Sequence, residues 1–184
     1  MAFDPKGAVR FDLVRGSVVH GDAYGEGTRA VLVPEDALAD LVAAAGAALG
    51  ADAARRTGVA MGARVAQRLG GARGVRASTL EEVADELGCE MALAGLGALS
   101  LERWGRALVV AIANAPAVEA GFLAAVVQGA LETATGRAMR CAAISSEPSV
   151  RVLVAGDAAL ARVRSWLATG SSWPDALARL QPAV

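Results

Sequence analysis

Apolar and polar residues mix at strand-like spacing in two short runs near the start of the chain, AVRFDLV at 8–14 and TRAVLVP at 28–34. The segment between them, GSVVHGDAYGEG, is rich in glycine and aspartate and reads as a loop. This pattern predicts an N-terminal β-hairpin over residues 8–34, with Pro34 ending its second strand.

From Glu35 onward the apolar positions take the period of a helix, and they form one stripe of Leu38, Leu41, Val42, Ala45 and Leu49. Glycines at 46 and 50 predict a bend before a second helix over about 51–69. That second helix carries Gly58 and Gly62, and a glycine inside a helix costs about 0.5–1 kcal/mol relative to alanine. The pair therefore predicts a close approach of another backbone or of a ligand, with an Ala/Gly-rich composition as the alternative explanation.

The next segment, GGARGVRA at 70–77, is predicted to be a loop, and a helix is predicted after it. Ser78 and Glu81 have the spacing of a capping box, and Gly88 suits the end of that helix. The carboxylates at 81, 82, 85 and 86 lie away from its apolar face. We interpret them as a solvated surface, and the alternative is a pair that does acid–base chemistry.

The second half of the chain alternates strands and helices. CEMALAGLG, ALSLERW and RALVVAIAN predict an antiparallel meander, and the almost wholly apolar stretch at 118–135 predicts a central core helix. RAMRCAAIS and SVRVLVA predict two more strands joined by a turn at Glu147-Pro148. A final helix in 156–170 and a short capped segment follow, and Trp166 and Trp173 should hold them on the domain or on a partner.

Composition narrows the class of protein. The chain has 184 residues, 54% of them hydrophobic and 20% charged, which is enough to build one domain with a sizeable core. A net charge of -1 and an aromatic content of 4% disfavour nucleic acid as a partner. The apolar run 108–127 contains Asn114, Pro116 and Glu119, so we expect no transmembrane segment there. The first residues lack the apolar core of a signal peptide, and a cytoplasmic location is expected.

Residue counts exclude most catalytic chemistry. His20 is the one histidine, Lys6 the one lysine, and Cys89 and Cys141 are far apart. With these residues the chain cannot form a zinc site built on several histidines, and it has neither a nucleophile elbow for a Ser–His–Asp triad nor a phosphate-binding loop with a lysine. We therefore predict no catalytic residue, no metal and no cofactor, and we interpret His20 as an exposed loop residue.

Two stretches carry a resemblance to a known family: TLEEVADELGCEMALAGLGALSLE, and GFLAAVVQGALETATGRAMRC with its GAL segment. Together with the order of elements, residues 28–155 resemble the 4-vinyl reductase (hydrocarbon-binding) domain and the related TRAPP core subunits. The resemblance implies an α+β fold with helices packed on one face of an antiparallel sheet. It also implies a homodimer or heterodimer formed through the helical face, and an apolar cavity for a fatty acyl chain or another hydrophobic small molecule.

The chain departs from that family at two places. Many relatives carry a cysteine cluster around the last two strands, whereas CAAISSEPSVRVLV has Cys141 alone, so no zinc is expected. The loop that holds an acylated cysteine in some TRAPP subunits is GGARGVRA here, so covalent acylation is not expected. The resemblance implies a domain over residues 1–156 and a C-terminal helical extension over 157–184.

Three hypotheses for function follow. The first is a non-catalytic dimeric module that binds a hydrophobic molecule, with a predicted site of Gly58, Gly62, Leu123, Val127 and Met139. The second is a structural dimerisation scaffold that has lost ligand sensing. The third is an enzyme with a site built only from Arg, Asp, Glu and Ser.

Overall fold

The computed structural model of the chain describes residues 9–14, 16–20, 28–104, 107–145 and 149–180. Within these ranges there are seven strands, β1 Val9–Asp12, β2 Ser17–His20, β3 Thr28–Ala30, β4 Ala98–Trp104, β5 Ala107–Ala113, β6 Arg140–Ser145 and β7 Val150–Ala155. The helices are α1 Glu35–Arg68, α2 Gly71–Ala77, α3 Leu80–Leu93, α4 Ala120–Thr135, α5 Asp157–Ala168 and α6 Trp173–Ala178. The strands form two antiparallel sheets, so the predicted α+β class is confirmed.

The larger sheet has the order β4-β5-β7-β6 and divides the core into two parts. Because side chains alternate across a strand, Val110 and Val152, which are paired in register, point to one face and pack with α4. Leu153 points to the opposite face and packs with Leu160 of α5 and Leu177 of α6. The sheet therefore lies between α4 on one side and the C-terminal helices on the other, and α1 forms a further layer outside α4.

The N-terminal sheet differs from the predicted hairpin. β2 lies inside the segment predicted as a loop, and both β1 and β3 pair with it in the order β1-β2-β3. The β-branched pair Val18 and Val19 follows a turn at Gly16, which has φ +57°, and this explains a strand at that place. The second predicted strand ends at Ala30 rather than at Pro34.

The bend predicted in the first helical region is confirmed. α1 has helical geometry except at Gly46, where φ is 70° and ψ is 170°. We use the name N-terminal arm for the described residues from 9 to 50. They comprise the small sheet and the part of α1 that extends to this bend and one turn beyond it. Among the described helices, α1 alone is long and apolar enough to cross a membrane, by length and composition only.

Three predictions around residues 70–97 are wrong. Residues 71–77 form α2 rather than a loop, and the capping box joins Thr79 to Glu82 rather than Ser78 to Glu81. α3 continues through Gly88 to Leu93, so CEMALAGLG is not a strand. The reason is visible in the burial, since Val83, Leu87 and Met91 continue one apolar stripe across the glycine.

The remaining elements follow the prediction closely. β4 and β5 form the predicted antiparallel pair, α4 is a central core helix, and β6 and β7 pair as expected. Trp166 and Trp173 pack against the second part of the core, which confirms that they hold the C-terminal segment on the domain. The predicted turn at Glu147-Pro148 lies outside the described residues.

Candidate ligand-binding site

The two glycines of the predicted site lie where α1 crosses α4. A Cβ on Gly58 would be 2.0 Å from the carbonyl oxygen of Val126, and a Cβ on Gly62 would be 2.2 Å from that of Ala130. Gly129 of α4 is its counterpart, since a Cβ there would be 2.3 Å from the carbonyl oxygen of Arg55. The close approach that the glycines predict is therefore made by a backbone, and the two helices contact each other without intervening side chains.

A cavity of about 390 Å³ lies beside β6, the strand at one edge of the larger sheet. We call it the edge cavity. It is lined from α4 by Gly121, Ala124, Ala125 and Gln128, from β6 by Cys141, Ala142 and Ala143, and from the C-terminal helices by Arg164, Leu167 and Trp173. Its volume falls within the range of roughly 300–1,000 Å³ that is usual for small-molecule sites.

The edge cavity combines apolar walls with a small number of hydrogen-bond donors. The Cys141 backbone N–H donates to Gln128 Oε1 over 3.2 Å, which fixes the amide so that its Nε2 group is left without a protein acceptor among the described residues. Arg164 is exposed at the rim and has no ion pair or hydrogen bond within the described part of the chain. Leu167 and Trp173 supply apolar surface opposite the alanines of α4.

Cys141 contributes to the cavity as a neutral group. Burial, together with the nearby charge of Glu132, raises the pKa of its thiol to about 12. The thiol is therefore protonated at neutral pH and behaves as a small apolar side chain rather than as a nucleophile.

A second, smaller cavity lies at the bend of α1. It has a volume of about 180 Å³ and is lined by Val42, Gly46 and Gly50 of α1 and by Glu119 and Phe122 at the start of α4, among others. We call it the kink cavity. Its volume is below the usual range for small-molecule sites, so the edge cavity is the better candidate.

Three residues of the predicted site lie in or against the core between α4 and the sheet. Leu123 and Val127 are fully buried, and Met139 is partly buried against the same core. None of the five predicted residues lines the edge cavity or the kink cavity. The prediction that they surround a ligand stays a prediction.

A buried ionic cluster joins α1 to α3. Glu90 is fully buried, and its carboxylate accepts hydrogen bonds from Arg64 Nε at 2.7 Å and from the Arg68 guanidinium. Arg68 also donates to Glu86 over 2.6 Å, and His20 Nε2 is 3.6 Å from Glu90. Since His20 is only 14% exposed and lies on β2, the prediction of an exposed loop residue is wrong.

Sequence reasoning missed this cluster because Glu90 fell in a predicted strand. A signal was present nevertheless. Arg64 and Arg68 are four residues apart, as are Glu86 and Glu90, so that each pair occupies one face of its helix. In this cluster each charged side chain is paired with one of opposite charge. Buried charged groups are usually paired in this way, so the cluster does not require a catalytic role. Within the described residues no group of three or more His, Cys, Asp or Glu side chains could hold a metal ion.

Comparison with known proteins gives a fold relationship. No protein-family model and no curated protein matches the chain. A solved structure does: the phenol-responsive sensory domain of the transcription activator PoxR, crystallised with phenol. The chain shares its fold. The TM-score is 0.57 over 96% of this chain and 93% of that one, at 15% sequence identity.

Proposed function

We propose that the chain is a non-catalytic module that binds a hydrophobic small molecule carrying an acidic or hydrogen-bond-accepting group. The observation that carries the proposal is the edge cavity, which has the size of a small-molecule site and combines apolar walls with unused donors. The PoxR sensory domain, whose fold the chain shares, is described as phenol-responsive, and this supports ligand sensing as the role. Kinship with the hydrocarbon-binding family and a cytoplasmic location belong to the same proposal.

The chemistry of the cavity favours an aromatic or short aliphatic acid. Trp173 and Leu167 offer apolar surface to the body of the ligand, while the Gln128 amide and the Arg164 guanidinium can donate to one carboxylate or phenolate. Cys141 is protonated and offers no nucleophile for a covalent step. The expected chemistry is therefore reversible binding.

Titration calorimetry of the full chain with benzoate, phenol and cyclohexanol tests the proposal. Benzoate should bind most tightly, and Arg164→Met should weaken its binding about five- to tenfold, since a hydrogen bond to a charged group contributes roughly 1.5–3 kcal/mol and exposure reduces that value. Arg162→Met is the matched control, because Arg162 lies on the same helix, is exposed and does not line the cavity. Binding that is absent for all three compounds, or equally weakened by both variants, would refute the assignment.

A dimerisation scaffold without a ligand is the second candidate function. The observation that favours it is the apolar surface of the N-terminal arm, where large hydrophobic side chains meet solvent. Native mass spectrometry of protein purified without detergent separates the two candidates, since a sensing module should carry or accept a small molecule and a scaffold should not.

A further inference from the structure

The edge cavity runs along the outer edge of β6. Cys141 and Ala143 pack with the core on the α4 side of the sheet, whereas Ala142 packs with the core on the side of the C-terminal helices. All three residues line the cavity, together with residues from both helical layers. Successive side chains of a strand point to opposite faces, so a cavity that reaches both faces must pass across the edge of the strand. Among the described strands none pairs with β6 on this side, because β6 ends the order β4-β5-β7-β6.

The main chain of β6 presents hydrogen-bonding groups to this cavity. The Cys141 N–H donates to the Gln128 side chain and not to β7, so it points away from the sheet. In an antiparallel pair, residues that bond to the neighbouring strand alternate with residues whose N–H and C=O groups face away from it. The register of β6 with β7 is regular from Arg140 to Ala143, so the Cys141 carbonyl and the Ala143 N–H also face the cavity. Neither group has a hydrogen-bond partner among the described residues.

The open part of this edge is short. Gln128 occupies the Cys141 N–H, so an added strand could not continue in that direction without displacing the amide. In the other direction the register with β7 shifts between Ala143 and Ser145, and a bulge of this kind bends the strand and interrupts the ladder. One acceptor, the Cys141 carbonyl, and one donor, the Ala143 N–H, remain between these two ends. A single residue of a parallel strand pairs with such an acceptor and donor, so the edge suits a short ligand rather than a long peptide.

The side chains around this edge indicate what else the ligand carries. Arg164 supplies a positive charge at the rim, and no carboxylate is among the described residues that line the cavity. A carboxylate on the ligand therefore finds an opposite charge there without a competing negative one. Leu167 and Trp173 form an apolar wall on the same side of the strand, which favours an apolar group on the remainder of the ligand.

We propose that the ligand of the edge cavity is an N-acylated amino acid, in which a secondary amide stands next to a carboxylate and carries an apolar acyl group. This inference rests on the proposed function and names its ligand class. The amide N–H donates to the Cys141 carbonyl, and the carboxylate accepts from the Ala143 N–H and faces Arg164, so the compound pairs with β6 as one residue of an added strand. The acyl group packs against Leu167 and Trp173. A simple aromatic acid can use Arg164 but leaves the Cys141 carbonyl without a donor.

Titration calorimetry of the full chain with hippurate (N-benzoylglycine) and 4-oxo-4-phenylbutanoate tests the ligand class. The second compound has the same length, ring and carboxylate, but a methylene group replaces the amide N–H. Hippurate should bind about tenfold more tightly, because only its amide can donate to the Cys141 carbonyl. Equal affinities, with benzoate bound, would overturn the inference and leave the proposed function standing. Absence of binding for benzoate and for both compounds would overturn the two together.

Amide hydrogen exchange of the ¹⁵N-labelled chain, measured by nuclear magnetic resonance, tests the pairing with β6. Saturating hippurate should slow exchange of the Ala143 N–H about tenfold, since a hydrogen-bonded amide must open before it exchanges. The amide of Arg103, an exposed residue of β4 at the opposite edge of the sheet, is the matched control and should exchange at an unchanged rate. An Ala143 amide that hippurate leaves unprotected would overturn the inference. An acetylated hexapeptide ending in glycine should bind no more tightly than hippurate, and tighter binding would overturn the inference in favour of a protein C-terminus.

Discussion

Replacing Gly58 by alanine tests how α1 and α4 are held together. The new Cβ would lie 2.0 Å from the Val126 carbonyl oxygen and 2.9 Å from the Ala130 nitrogen, whereas ordinary contacts begin at 3.4 Å. The helices would have to separate locally by about 1.4 Å, because the obstructing atoms belong to a backbone that cannot rotate away. Such overpacking costs about 1–3 kcal/mol.

The substitution also has a favourable side, since alanine is better than glycine inside a helix by about 0.5–1 kcal/mol. We therefore expect Gly58→Ala to lower the free energy of unfolding by about 1–2 kcal/mol, measured by urea denaturation with far-ultraviolet circular dichroism. Gly88→Ala is the matched control. Its Cβ would meet the Leu99 carbonyl oxygen at 3.6 Å, an ordinary contact, so this variant should gain up to about 0.5–1 kcal/mol.

A Gly58→Ala protein as stable as the wild type would refute this reasoning. It would mean that space is open beside Gly58, as a ligand bound at the sequence-predicted site would require. The control separates this outcome from a general tolerance of alanine in these helices.

Three further predictions concern charge and pH. Glu90→Leu should lower the free energy of unfolding by about 3–5 kcal/mol, because Arg64 and Arg68 lose their buried partner; a loss below 1 kcal/mol in urea denaturation would contradict this. The hydrogen bond from Arg151 lowers the pKa of Glu102 below its usual value, so this pair should stabilise the fold above the unfolded pKa and lose its effect as pH falls through the folded one. Arg151→Met should therefore lower Tm at pH 7 and progressively less as the pH falls below the usual carboxyl pKa, and an equal decrease across a pH series would count against the pair. Because the pKa of Cys141 is raised to about 12, roughly one thiol in 10⁴ is ionised at pH 8. Iodoacetamide should therefore modify Cys141 far faster in the unfolded chain than in the folded one, and mass spectrometry of peptides measures the two rates.

The sequence predicts those elements whose burial pattern is regular along the chain. α4 is apolar on almost every side, β5 is a run of mostly buried aliphatic residues, and β7 is aliphatic except for Arg151, so a window of local sequence is enough to predict them. The end of α3 was missed because Gly88 has the chemistry of a helix stop. In the folded protein α3 continues through Gly88, because Leu87 and Met91 on either side of it are buried in the core.

The edge cavity could not be predicted in this way. Its lining comes from three separate segments of the chain, in α4, in β6 and in the C-terminal helices, and half of the ten lining residues are glycine or alanine. Glycine and alanine do not indicate a binding site in a sequence. Arg164 and Trp173 line the cavity only because the C-terminal helices pack beside β6, and a sequence pattern does not show that packing. The Glu90 cluster differs, since matched four-residue spacings of opposite charge could have indicated it before the structure was known.

The non-helical backbone at Gly46 makes this single residue the pivot of the N-terminal arm. Its φ of 70° and ψ of 170° belong to a region that only glycine adopts without strain, so the angle between the two straight parts of α1 depends on this pair of torsion angles. The 11 helical residues that precede it extend about 16 Å, and a 20° change at the pivot would therefore move the far end of that helix by about 6 Å. Gly46 also lines the kink cavity, so the pivot lies in the wall of that cavity.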